Sequence, residues 1–154
     1  MTEFDSDETE LEETFDDLKW TVTRASGSLL SEVAALEGNT IWDEIMRFTT
    51  EKLNSNQWID QYVGMTCLGA VLSGPDQSVI FNQMEQSYQN IISMFNNSNF
   101  AKVRYATGWV INLLVKSLPE LIFKSQQNLE LLIRTAIQHL DSDQEHHTIK
   151  SFMA

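Results

Sequence analysis

Val103-Arg104-Tyr105-Ala106-Thr107-Gly108-Trp109-Val110-Ile111-Asn112-Leu113-Leu114, closing on Pro119, decides how this chain folds. Forty-three residues earlier stands Gln61-Tyr62-Val63-Gly64-Met65-Thr66-Cys67-Leu68-Gly69-Ala70-Val71-Leu72, closing on Gly74-Pro75. At that offset Tyr62 falls on Tyr105, Val63 on Ala106 and Leu68 on Ile111, and Ala70-Val71-Leu72 falls on Leu113-Leu114-Val115. Both stretches are apolar on several sides and carry small residues, Gly64 and Gly69 in one and Ala106 and Gly108 in the other. Small residues let a helix be approached from two sides, as the inner layer of a stack of helix pairs requires. A recurrence of this length, built from helical patterns, is the signature of a solenoid.

Outward from this pair the chain reads as helices separated by short polar breaks. Trp20, Val22, Ala25, Leu29, Leu30, Val33 and Leu36 give one stripe that ends at Gly38, where glycine favours a helix C-terminus. Asn39 or Thr40 is the expected cap of a second helix with two apolar rows, Ile41, Ile45, Phe48 and Trp42, Met46, Thr49, Leu53. A third helix runs from about 57 to 73, a fourth from about 77 to 95 and a fifth from about 100 to 117. A sixth carries Leu129, Leu132, Ile133, Ala136, Ile137 and Leu140 and ends around Asp141, and a seventh begins near Glu145. No useful stretch alternates with period two. The expectation is all-α, an α-solenoid of antiparallel helix pairs with about three to three and a half HEAT repeats over 19–154 and an acidic segment over 1–18. A compact helical bundle is the competing architecture. A further step of forty-three from Trp109 lands on Phe152, so the unit is expected to continue past the end of the sequence.

Charge separates the two parts. The net charge of −12 is concentrated in residues 1–17, which hold nine acids (among them Glu12, Glu13, Asp16 and Asp17) and no base. A leader of this kind repels itself and stays disordered until a basic partner meets it. The rest is nearly balanced and does not suit phosphate binding, so no nucleic acid is expected. No apolar run is long enough for membrane insertion, and the acidic opening predicts no secretory signal. That expectation leaves the Asn96-Asn97-Ser98 glycosylation pattern without meaning. Cys67 reads as a small buried hydrophobe, and His139, His146 and His147 as exposed histidines rather than zinc ligands. No nucleophilic constellation and no phosphate loop is placed by local sequence, so neither an enzyme nor a cofactor is expected.

Three local patterns resemble the importin-β family of nuclear transport receptors. They are Asp16-Asp17-Leu18-Lys19-Trp20 leading to Arg24-Ala25-Ser26-Gly27, Asn56-Gln57-Trp58 through Gly74-Pro75, and Val103-Arg104 through Trp109 to Pro119-Glu120. Their order and spacing agree with the family over nearly the whole chain. The Asp and Arg ladder of the turns is incomplete: Arg104 is kept, Asn96 or Asn97 stands near the expected Asp, and Gln61 and His147 occupy the positions equivalent to Arg104.

The resemblance implies an acidic loop, with Asp16 and Asp17 leading it and Glu12 and Glu13 within it, that engages the GTPase Ran. It also implies aromatic platforms at Trp20 and Trp109 on a concave surface for the importin-β-binding segment of importin-α or a basic cargo helix. Phe152 stands where the family often has another inner-face Trp. Nucleoporins are implied partners of a full-length receptor, and cytoplasm, nucleus and nuclear pore its places of action. Trp42 is expected in the core and Trp58 in packing. A different HEAT or armadillo scaffold remains the alternative, in which Trp20 and Trp109 would be packed between repeats.

Overall fold

The computed structural model describes residues 22–140, and all regular structure among them is helical. The helices are α1 (Val22–Glu37), α2 (Trp42–Leu53), α3 (Trp58–Val71), α4 (Gln77–Asn97), α5 (Ala101–Ser117), α6 (Pro119–Phe123) and α7 (Gln126–Leu140), with a 3₁₀ turn at Gly38–Ile41. Trp20, Glu12, Glu13, Asp16, Asp17, Phe152, His146 and His147 lie outside the described residues.

The helices form two rows. α1, α3 and α5 pack side by side, α2 covers α3, α4 covers α5, and α7 continues the outer row by packing on α4. Ala34 near the end of α1 meets Gly74 just beyond the end of α3, so these two inner helices run in the same direction. The described residues thus hold two complete helix pairs, with an inner helix before them and an outer helix after them. This is the solenoid expected from the recurrence, and the continuous row of like helices excludes the compact bundle.

The core lies between the rows. Met65, Leu68 and Val71 of α3, Met84, Tyr88 and Phe95 of α4, and Val103, Val110 and Leu114 of α5 are buried. On α4 Ile80, Met84, Tyr88, Ile91 and Phe95 step by four, four, three and four, with Ile92 buried beside them, which keeps one side of the helix on the inner row. Trp42 is buried in this core, as its two-row helix predicts.

The turns repeat as faithfully as the helices. The Ser55 hydroxyl accepts from the Gln57 amide at 3.1 Å, and the Gln61 side chain donates to the Ser55 carbonyl at 2.8 Å. Forty-three residues on, the Ser98 hydroxyl accepts from the Phe100 amide at 3.3 Å, and the Arg104 guanidinium donates to the Ser98 carbonyl. Gln61 and Arg104, different in charge, perform the same task of tying an inner helix to the turn before it.

Four local expectations need correction. Asn39 does not cap α2: a 3₁₀ turn intervenes, Ile41 is the N-cap, and the Asn39 amide instead clasps Asp76 (Nδ2 to Oδ2 2.8 Å, Oδ1 to the Asp76 amide 2.9 Å). That clasp joins the starts of two neighbouring outer helices. The expected sixth helix is preceded by the separate helix α6, because Pro119 opens a helix at its first turn and Ser125 stops it. Ser125 Oγ accepts from the Asn128 amide at 3.2 Å and so starts α7 afresh.

His139, expected on the surface, is only 8% exposed. It lies edge-on to Phe95 and sits 2.9 Å from Asn96 Oδ1, while Asn96 Nδ2 donates to Thr135 at 3.2 Å. Asn96, at the place of an expected turn Asp, therefore bridges outward from α4 to α7. Cys67 is half-buried rather than buried, and burial pushes its thiol up, with the nearby Thr49 hydroxyl opposing.

Two phenols set an alkaline limit on the fold. Burial pushes Tyr62 and Tyr88 each up to about 12, against about 10 in an unfolded chain. Because the folded values are raised, the neutral phenols contribute fully below about pH 10 and lose that contribution as pH rises towards 12. Each loss reaches roughly 2–3 kcal/mol by the upper end. Denaturant midpoints measured between pH 9 and pH 12 should fall across this window, and Tyr62→Phe should make the fall shallower. An equally steep fall in that variant would contradict the assignment to Tyr62.

Candidate partner-binding groove

A cavity of about 520 Å³ runs across the inner row. α1 lines it with Thr23, Arg24 and Gly27, α3 with Tyr62, Thr66 and Gly69, and α5 with Tyr105, Trp109 and Leu113. The spacing of these residues follows from helix periodicity. Tyr62, Thr66 and Gly69 step by four and three along one face of α3, and Tyr105, Trp109 and Leu113 step by four along one face of α5. The forty-three-residue offset then superimposes Tyr62 on Tyr105 and Thr66 on Trp109, so equivalent faces of neighbouring repeats build one continuous groove.

Trp109 is the exposed ring in that groove. It is 36% exposed, and its buried edge is held by the absence of a side chain at Gly69. A Cβ at position 69 would fall 2.1 Å from Trp109 Cζ3 and 2.7 Å from Cε3. The indole thus lies against the backbone of α3 with its other surface open to the groove. The ring fills the space between repeats on one side and borders the groove on the other.

Tyr62 is buried along the groove wall, and its backbone carbonyl accepts from the Thr66 hydroxyl at 2.9 Å. Among the described lining residues the one charged side chain is Arg24, and there is no carboxylate. The aromatic and hydroxyl surface can stack on planar cations or cover apolar side chains. It offers no acid of its own to a basic ligand.

Trp58 stands elsewhere. It is buried at the start of α3, stacked on Phe100 at 5.8 Å with Lys102 Nζ 6.0 Å from its ring centre. This is the packing role expected of it. At the same end of the pair Lys52 and Asp60 meet at 2.8 Å, and Ser55 donates to the same carboxylate at 2.8 Å. The Lys52 ammonium and the Ser55 hydroxyl hold the Asp60 carboxyl below its usual range. Among the described residues no cluster of histidine, cysteine and carboxylate could hold a metal ion.

Sequence reasoning singled out Trp109 but left out Arg24, Tyr105 and the role of Gly69 as lining. Tyr105 was visible in the Tyr62–Tyr105 match, and Gly69 as a small residue inside a helix. Arg24 carries no periodic signal.

No protein-family model matches the chain. It is 23% identical over 122 residues to importin subunit beta-1 of Saccharomyces cerevisiae, a match covering 79% of this chain and 14% of that protein. It is 22% identical over 136 residues to importin subunit beta-1 of Arabidopsis thaliana, covering 86% of this chain and 16% of the relative. A solved structure of Kap95p bound to RanGDP matches with a TM-score of 0.76 at 22% identity, over 89% of this chain and 16% of the other. The chain therefore spans only about a sixth of the length of these proteins. Over most of its own residues the chain is similar in sequence to importin subunit beta-1, and it shares the helical-repeat fold of Kap95p.

Proposed function

We propose that this chain is a working segment of a nuclear transport receptor, and that its inner-row groove binds a basic helix. The helix would be a cargo segment or the importin-β-binding segment of importin-α. The observation that carries this reading is Trp109, seated on Gly69 with its free face in the groove. An Arg guanidinium stacked on such a ring gains about 0.5–1 kcal/mol when exposed and about 2 or more when desolvated. Carboxylates for the same ligand come from residues 1–17, with Glu12, Glu13, Asp16 and Asp17 nearest to α1 in sequence. They act by steering and loose contact rather than as fixed ion pairs.

Trp20 and Phe152 are proposed to extend the aromatic row on either side of Trp109. The acidic segment is proposed to engage Ran, so that the GTPase and the basic ligand compete for overlapping surface and the ligand is released. Kap95p binding to RanGDP supports Ran as a partner. The activity is binding rather than catalysis, carried out in cytoplasm and nucleus, with nucleoporin contact belonging to a whole receptor.

Titrating the full chain with an Arg-rich amphipathic helix at increasing salt tests this directly. Screening shortens to about 8 Å at physiological ionic strength. Binding should therefore weaken steeply with salt, and replacing Glu12, Glu13, Asp16 and Asp17 with their amides should flatten the dependence. Absence of binding at low salt, or a slope untouched by those substitutions, contradicts the reading.

A further inference from the structure

Among its described lining the groove offers a basic ligand no carboxylate. Its described lining consists of aromatic rings, hydroxyls and aliphatic carbons around one guanidinium, that of Arg24. An apolar side chain flanked by acids fits that lining better than a lysine or arginine does. It places carbon against Tyr62, Tyr105 and Trp109 and carboxylate near Arg24.

The chain carries a segment of that chemistry immediately before α1 in sequence. Residues 1–21 lead directly into α1 at Val22, and Thr23 and Arg24, the next residues, line the cavity. Phe4, Leu11, Phe15 and Leu18 stand among the nine acids of this segment, and Leu11, Phe15 and Leu18 step by four and three. That spacing puts the three on one face when the segment is helical.

Length permits the contact. Inner helices pack roughly 8–10 Å apart, so Trp109 on α5 lies about 20 Å from α1. A helical turn pair over 11–18 rises about 10 Å and the four residues from Leu18 to Val22 add up to about 14 Å when extended, about 24 Å in all. Tethered so close, the segment reaches an effective concentration in the millimolar range, and weak contacts suffice to fill the groove.

We propose that residues 11–18 occupy the groove in cis. Leu11, Phe15 and Leu18 lie against the Tyr62, Tyr105 and Trp109 surface, and the neighbouring acids face Arg24. A basic helix must displace these anchors, and in doing so it gains the acids released with them. The inference rests on the groove being the partner site, and it adds that the free chain is self-occluded.

Paramagnetic broadening in the full chain tests it. Cys67→Ser removes the single cysteine, and Thr14→Cys accepts a nitroxide. The tryptophans are incorporated as 5-fluorotryptophan, with the Trp109 resonance identified by Trp109→Phe. Docking in cis broadens Trp109 while leaving Trp42 and Trp58 sharp, and Trp20, close to the label in sequence, serves as the positive control. Leu11→Ser with Phe15→Ser, all acids kept, should restore a sharp Trp109 signal.

A Trp109 signal no broader than those of Trp42 and Trp58 overturns the proposal, as does broadening that survives the double substitution. The Arg-rich helix should bind the double variant about fivefold more tightly if the groove is occluded four-fifths of the time. Unchanged or weaker binding overturns the competition. Broadening that the double variant abolishes, with no helix bound by either chain, supports docking in cis and overturns the basic-partner reading alone.

Discussion

Gly74→Ala is expected to destabilise the chain by about 2–3 kcal/mol, at the upper end of what an added methyl group costs in a packed interior. A Cβ at Gly74 would lie 2.3 Å from the Ala34 carbonyl oxygen, 2.5 Å from its carbon and 2.7 Å from its Cβ. None of these atoms belongs to a flexible side chain, so the strain cannot be relieved by a rotamer change. Relief requires α1 to move away from α3, which opens the contact between neighbouring repeats. In a solenoid each unit is supported by its neighbours, so loss of one contact loosens the end of the stack first.

Gly27→Ala supplies the comparison. Nothing lies within 4 Å of a Cβ there, and the residue sits inside α1. Alanine in place of a helical glycine stabilises by about 0.5–1 kcal/mol. Denaturant midpoints should thus move in opposite directions for the two substitutions. A Gly74→Ala midpoint equal to or above the parent would contradict the close approach of α1 and α3.

The second large effect is on binding. Trp109→Ala should weaken the Arg-rich helix by about 10- to 30-fold, the equivalent of roughly 1.4–2 kcal/mol for a partly desolvated cation–π contact. Truncation also removes the ring from α3, so a stability loss accompanies it and a second variant is needed. Gly69→Ala keeps the indole but places a methyl group where Cζ3 sits. The ring must then swing out of its seat, and affinity should fall although Trp109 is still present. Trp109→Phe, which keeps a flat ring, should retain more of the affinity than Trp109→Ala. Equal affinity in the parent, Trp109→Ala and Gly69→Ala would remove Trp109 from the binding surface.

Much of the architecture was legible because it rests on repetition. The Tyr62–Tyr105 and Leu68–Ile111 matches located the inner helices, and Gly38 and the Gly74-Pro75 and Pro119 breaks located their ends. Two of the local departures, at Asn39 and His139, share a physical origin, in polar side chains whose partners lie far away in sequence. Asn39 has the composition of a cap but binds Asp76 in the next repeat. His139 looks like a surface residue until Asn96, forty-three positions earlier, supplies its partner. Ser125 was different: its capping role is local and could have been read from a serine three residues before Asn128.

The groove was half legible. Trp109 stood out as an aromatic among small residues, but its seating on Gly69 depends on the spacing between two helices. Arg24 reaches the groove only because α1 packs beside α3. Charge along the sequence pointed to an acidic leader, whereas the groove itself carries a base and no acid among its described lining. That contrast is a property of the assembled inner row.

The claim at the centre is that the Trp109 ring in the inner-row groove directly contacts a basic side chain of the ligand. A double-mutant cycle between Trp109→Leu in the full chain and single Arg→Gln changes along the helix measures this most directly. One arginine should show a coupling of about 0.5–2 kcal/mol with Trp109, while the others stay near zero. Coupling indistinguishable from zero at every arginine, with the helix still bound, would contradict it.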